Sequence, residues 1–378
     1  MPDPAPHSTD RVPFLDVGAT YRELASDLDA ATLRVLGSGW YLLGDELQSF
    51  EREYATYVGA SHAAGCGNGL EAIELLLRAW GVGPGDEVIV PSNTYIATWI
   101  AVSNVGAEIV PCEPDLQTFN INPNEVERLV SPRTRAIIAV HLYGQPVDLR
   151  RLRQTCSRHG IVLLEDAAQA HGASIEGVRV GGGSGVAWSF YPGKNLGAFG
   201  DGGAVTTDDR SIHEQICKLR NYGSRVKYEN DVIGINSRLD ELQAASLRVK
   251  LEYLDEWNER RRAIASVYAS ALAGNEFIVS PCVPAWAEPV WHLYVVRTPY
   301  RGELARHLLS AGIETLVHYP IPPHLQKAYD QLGFTKGRYP ISEQIHDEVL
   351  SLPIGPHLPP SAVSRVAEAV ESFRPQAR

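Results

Sequence analysis

Ser189-Phe-Tyr-Pro-Gly-Lys-Asn-Leu-Gly-Ala-Phe-Gly-Asp-Gly-Gly-Ala204 is the stretch on which the reading of this chain turns. It sets one lysine, Lys194, in a loop crowded with glycines. Residues 186–190 before it are apolar and strand-like, and residues 203–207 after it read as a second strand. A lysine between two buried strands is either a surface side chain in a glycine-rich turn or an amine held near an aldehyde, ready to form a Schiff base. The segment alone leaves both readings open.

Outward from this loop the chain keeps an α/β rhythm. Residues 20–58 read as helical with a glycine-rich break at 37–44. Strands are expected at 63–66, 87–91, 108–112, 136–141 and 161–165, with helices at 69–80, 95–105 and 149–159. In the first of these helices Ile73, Leu76, Leu77 and Trp80 share one face. Such alternation implies a mostly parallel, covered sheet. Further on, Leu239, Leu242, Val249, Tyr253 and Trp257 recur at helical spacing, and Leu247, Leu251 and Leu254 widen the face, so 238–272 predicts one long helix bridging two units. Segments 291–297 and 313–319 look like strands of a smaller α+β unit, punctuated by Pro281, Pro320, Pro322 and Pro323. The expected division is a disordered lead over 1–11, a large domain over 12–250 and a small domain over 251–378.

The bulk composition suits such a protein: 378 residues, 44% hydrophobic and 21% charged. A net charge of -11 argues against a nucleic-acid binder, and an anionic substrate would need a local basic pocket. Five cysteines (Cys66, Cys112, Cys156, Cys217, Cys282) are widely spread with no Cys-x-x-Cys, which suggests neither a disulfide framework nor a zinc site and fits a reducing cytoplasm. The first residues lack the basic start and apolar run of a signal peptide, and no apolar run is long enough to span a membrane.

Several polar residues fall where strands end, which is where open α/β sheets bind ligands. Asp166 follows the 161–165 strand and is placed either to pair with a protonated pyridine nitrogen or to cap a helix. Cys66-Gly67-Asn68-Gly69-Leu70 joins a strand to a helix whose free N–H groups suit a phosphate, although a plain tight turn would read the same. It is not a Walker loop, and the full dinucleotide fingerprint is missing. Tyr95 ends the next strand and offers a ring for stacking or packing; Ser189 offers a hydroxyl to the same phosphate. A phosphate cradle, a stacking ring, a carboxylate at a strand end and a lysine are together what pyridoxal phosphate requires.

Glu165-Asp-Ala-Ala-Gln-Ala-His-Gly172 and Ser189-Phe-Tyr-Pro-Gly-Lys-Asn-Leu-Gly197 resemble the DegT/DnrJ/EryC1/StrS sugar aminotransferases, and so do Asn221-Tyr-Gly-Ser224, Asn236-Ser-Arg-Leu-Asp-Glu241 and His318-Tyr-Pro320. The likeness spans about 12–370. It implies a pyridoxal-phosphate transferase of fold type I, with a mostly parallel mixed seven-stranded sheet. Lys194 would be the cofactor lysine, Asp166 the partner of the ring nitrogen, and Gln169 the neighbour of the ring hydroxyl. Asn68, Gly69, Leu70 and Ser189 would hold the phosphate and Tyr95 would stack on the ring. Asn236 would reach the phosphate from the partner chain of a homodimer with shared sites. Histidine replaces the lysine in the family's dehydratases, so the lysine here implies transamination, with L-glutamate as donor and Lys194 moving the proton.

The resemblance extends to enzymes acting on nucleotide-linked 3-keto-6-deoxyhexoses on the way to sugars such as desosamine and mycaminose. By that likeness Tyr191, Lys227, His318 and Tyr319 would surround the substrate, and 4-amination of a 4-keto sugar is the alternative. Lys218, Arg220, Arg225 and Lys227 would form a basic cluster for a diphosphate, or else a solvated helix end. One departure is Asn68-Gly69-Leu70, where many relatives carry Ser-Gly and a small or hydroxylated residue; a hydroxyl donor is lost there.

Overall fold

The computed structural model describes residues 11–376. Its central sheet has seven strands, β1 (His62–Cys66), β2 (Glu87–Pro91), β3 (Glu108–Cys112), β4 (Thr134–Val140), β5 (Val162–Asp166), β6 (Val186–Ser189) and β7 (Gly203–Thr207). Their spatial order is β1-β7-β6-β5-β4-β2-β3. The β7 strand pairs antiparallel with both neighbours, and the remaining pairs are parallel. The expected mixed α/β architecture is therefore present.

Period-two alternation explains why helices cover both faces. Val88 and Val90 of β2, and Ala136, Ile138 and Val140 of β4, enter one core with α3 (Gly69–Ala79) and α4 (Ala97–Asn104). Ile89, Ile137 and Ala139, between them in sequence, point to the other face, where α5 (Pro123–Leu129) and α6 (Leu149–His159) pack. The helix α7 (Arg210–Leu219) adds Ile216 and Leu219 to the first core. Trp188 and Ala204 meet Phe50 and Tyr54 of α2 (Asp45–Val58) and Leu247 of α8 (Glu241–Leu251). Ahead of α2, α1 (Gly18–Ser38) lies along α8 through Ala31 and Val35.

A second core is built from α9 (Leu254–Leu272), α10 (Arg301–Ser310) and α12 (Pro360–Ser372) around an antiparallel pair, β10 (Tyr294–Arg297) and β11 (Val349–Leu352). Val12 belongs to this core, bridged in parallel to Ile313. A short hairpin, β8 (Ser224–Val226) and β9 (Glu229–Asn230), lies earlier in the chain, and α11 (Pro340–Glu348) leads into β11.

Two expectations need correction. The long helix over 238–272 is two helices, parted at Glu252 and Tyr253, where the Tyr253 N–H turns back to the Lys250 carbonyl. The apolar stripe hides the break: Val249, Tyr253 and Trp257 continue across it against Leu24 and Leu28 of α1. Segment 313–319 is not a strand. Ile313 bridges Val12 and Leu316 bridges Ser351, so its backbone finds single partners on two different segments and no ladder forms. The expected disordered lead, apart from Arg11, lies outside the described residues.

Candidate active site

Sheet register gathers the residues of interest. Cys66 pairs with Gly203, Gly203 with Ser189, and Asp166 with Ala187, so the carboxyl ends of β1, β5 and β6 share one edge. Over that edge lies a cavity of about 710 Å³.

At one end of the cavity α3 begins. Asn68 caps it, its Oδ1 accepting the Glu71 N–H at 2.9 Å. The N–H groups of Gly69 and Leu70 meet no acceptor among the described residues. Two free amides at the positive end of a helix form a seat for an anion. A Cβ on residue 69 would stand 2.7 Å from the Ser189 Cβ, so glycine is what lets β6 bring the Ser189 hydroxyl beside these amides. The missing hydroxyl at Leu70 therefore leaves main-chain donors in place.

Asp166, buried at the end of β5, accepts from Thr98 Oγ1 and from the Ala168 N–H, each at 3.1 Å. Burial raises its pKa, while the Ala168 amide, the Lys194 charge and the Thr98 hydroxyl oppose the rise. A buried carboxylate held by two hydrogen bonds, with no cation in salt-bridge contact among the described residues, suits a cationic ring nitrogen.

Lys194 hangs from the β6–β7 loop, its N–H bonded to the Tyr191 carbonyl at 2.8 Å. Its surface is partly open to the cavity, yet burial brings the amine down to about 8, with Asp166 resisting. Such an amine is partly free near neutral pH, as a nucleophile or a proton carrier must be.

The wall opposite is polar and aromatic. Gln169 accepts the Tyr143 N–H at 2.6 Å and donates to the Tyr319 hydroxyl at 3.0 Å. The Tyr319 ring lies 5.1 Å from that of Tyr95. His318 shares a hydrogen with Ser351 Oγ across 2.8 Å and packs on Phe14. Burial, then the Lys194 charge, holds its imidazole down to about 4, so it is neutral at pH 7. Tyr191 stands exposed on the rim.

Asn68, Gly69, Leu70, Tyr95, Asp166, Gln169, Ser189, Tyr191, Lys194, His318 and Tyr319 thus line one cavity. Lys227 and Asn236 do not: Lys227 is exposed at the β8–β9 hairpin beside the Tyr228 ring, and Asn236 is exposed and bridged to Asn221. The basic cluster is also not a free anion site. Lys218 pairs with Asp231 at 3.1 Å, Arg225 with Glu214 at 2.8 Å, and buried Arg220 with Glu51. Those carboxylates come from other segments, which is why the run of cations misleads.

Sequence reasoning missed Thr98, His292 and the Phe14–Leu15 wall, all at the cavity. Thr98 carried a signal, since it stands one helical turn after Thr94 and the two hydroxyls meet at 3.1 Å. His292 carried none; it arrives by long-range packing, and burial, then the Lys194 charge, holds it well below the usual histidine range.

The donor set fits pyridoxal phosphate: free amides for the phosphate, an uncompensated buried carboxylate for the ring nitrogen, and an amine with a lowered pKa for the aldehyde. No helix among the described residues is long and apolar enough to cross a membrane. Comparison with known proteins agrees. The model of the DegT/DnrJ/EryC1/StrS aminotransferase family matches residues 23–371. The dTDP-3-amino-3,4,6-trideoxy-alpha-D-glucose transaminase of Streptomyces venezuelae is 54% identical over 97% of each chain. The dTDP-3-amino-3,6-dideoxy-alpha-D-galactopyranose transaminase of Aneurinibacillus thermoaerophilus is 50% identical over 96% of this chain and 99% of its own. The crystal structure of S. venezuelae DesV in complex with a ketimine intermediate superposes with a TM-score of 0.95 at 54% identity, covering 96% of this chain and 98% of that one. The chain belongs to the DegT/DnrJ/EryC1/StrS aminotransferase family and is a pyridoxal-phosphate enzyme with the fold of that family.

Proposed function

We propose that the protein moves the amino group of L-glutamate to C3 of a dTDP-linked 3-keto-6-deoxyhexose, yielding the 3-amino-3,6-dideoxyhexose of deoxyaminosugar and antibiotic biosynthesis. The observation that carries this reading is the meeting of Lys194, Asp166 and the free amides of Gly69 and Leu70 in one cavity. Both transaminases compared above carry a 3-amino sugar in their names, which supports C3 over C4.

When bound, pyridoxal phosphate supplies an aldehyde that carries the amino group and a ring that takes up electrons. Asn68, Gly69, Leu70 and Ser189 would hold its phosphate, Tyr95 would cover its ring and Gln169 would attend its hydroxyl. Asp166 keeps a proton on the ring nitrogen. Lys194 would be the catalytic amine: its neutral Nζ would take the proton from the α-carbon of the amino donor and deliver a proton to the sugar carbon that receives the amine. Tyr191, Tyr319 and neutral His318 orient the sugar; with Nδ1 engaged by Ser351, His318 keeps Nε2 without a protein partner among the described residues.

The active form is a homodimer in which Asn236 and Lys227 serve the cavity of the other protomer. Exposed apolar side chains, among them Trp40 at 64% and Ile233 at 90%, support a chain–chain interface, and Asn236 is itself exposed. The five unpaired cysteines support a cytoplasmic location. Treated with L-glutamate alone, the cofactor-loaded protein should lose its visible band and release stoichiometric 2-oxoglutarate. A band that glutamate leaves unchanged would rule this donor out.

A further inference from the structure

Lys250, on α8, is a lysine with 3% of its surface exposed and no carboxylate in ion-pair contact among the described residues. Its Nζ donates to the Gly197 carbonyl at 2.7 Å and stands 3.6 Å from the centre of the Phe199 ring. A buried ammonium without a counter-ion is costly, and methionine would fill the same space without that cost. Its donor and its charge are therefore in use.

Both of its partners belong to the loop that carries Lys194. That loop folds on itself: the Ala198 N–H bonds to the Phe190 carbonyl at 2.7 Å. At Gly197 a Cβ would stand 2.4 Å from the Pro192 carbonyl oxygen, so the backbone passes too closely for any side chain. One strut already holds the middle of the loop, where Asn195 Nδ2 donates to Asn258 Oδ1 and to the Val290 carbonyl, each at 2.9 Å. Lys250 supplies the strut beyond it, toward β7.

We propose that Lys250 is a positioning residue for Lys194: by gripping the Gly197 carbonyl and the Phe199 ring, it fixes the loop that presents the reactive amine. The proposal rests on reading Lys194 as that amine. Lys250 touches neither substrate nor cofactor in this account and acts only through the loop.

The test compares wild type, Lys250→Met and Lys250→Arg, each stripped of cofactor and mixed with pyridoxal phosphate while the visible band is followed. Lys250→Met should keep the far-ultraviolet circular dichroism of wild type yet form the band about tenfold more slowly or worse. Its kcat should fall by about 10- to 100-fold with little change in KM, the pattern of a misplaced reacting group. Lys250→Arg should recover most of both, since a guanidinium can donate to a carbonyl and stack on a ring. Wild-type band formation and kcat in Lys250→Met would overturn the proposal, as would a loss that arginine fails to repair. Were Lys250→Met not to fold, Phe199→Leu removes the ring from beside Lys250, with its edge contact to Tyr21, and leaves the Gly197 hydrogen bond in place; it should slow band formation, and a wild-type rate there would count against the proposal. Lys194→Ala separates the underlying reading: a visible band or turnover in that variant would refute Lys194 itself, whatever Lys250 does.

Discussion

At the scale of single residues, Lys194 and Asp166 are set against their ordinary states by the same cause. Burial disfavours charge on each, lowering the amine to about 8 and raising the carboxyl. Only the neutral amine attacks an aldehyde, so capture of pyridoxal phosphate by the cofactor-free protein should accelerate as pH rises through about 8 and then level off. Stopped-flow absorbance on either side of that value measures it, and a rate that falls with pH would contradict the assignment. Asp166→Asn keeps the shape and removes the charge proposed to hold the ring nitrogen protonated. It should lower kcat by about 100- to 1,000-fold, the usual cost of losing one electrostatic contact in a transition state. These two residues were legible in the sequence because each closes a strand or follows one. His292 and Thr98 were not so evident, because long-range packing and a helical turn bring them to the cavity.

At the scale of elements, legibility followed periodicity. The strands were readable because their side chains alternate between two cores, and the 149–159 helix because its apolar side is confined to one core. The break between α8 and α9 was hidden by a stripe that stays apolar on both sides of it. The junction of β1 and α3 makes a sharper prediction. Gly69→Ala pushes a methyl to 2.7 Å from Ser189, and the strand end or the helix start must shift. Pyridoxal phosphate should then bind at least about tenfold more weakly, equivalent to about 1.4 kcal/mol. Titration of the visible band gives the number, and unchanged affinity would mean that the anion seat lies elsewhere.

At the scale of the whole molecule, the loop that carries Lys194 is braced from α8 and α9, so helices packed on different cores meet at that loop. Histidines whose charge is disfavoured by their surroundings make the fold sensitive to acid. Burial lowers His171 to about 3, and His318 and His346 to about 4, from an ordinary 6.5. Between those values the unfolded chain binds protons that the folded chain refuses, so stability should fall as pH drops from 6.5 toward 4 and be unaffected by these groups above 6.5. Denaturant midpoints across that window should show the decline. His171→Phe should lessen it, because neither of that ring's nitrogens has a hydrogen-bond partner among the described residues and its neighbours are aromatic. The pairing of Lys218, Arg220 and Arg225 was the feature least readable from sequence, since each carboxylate comes from another segment.

The most direct test supplies the purified protein with pyridoxal phosphate, L-glutamate labelled with heavy nitrogen, and a dTDP-linked 3-keto-6-deoxyhexose, and reads the product by NMR. The account predicts the label on C3 with wild type and no labelled sugar with Lys194→Ala. Label on C4, or undiminished transfer by Lys194→Ala, would contradict it.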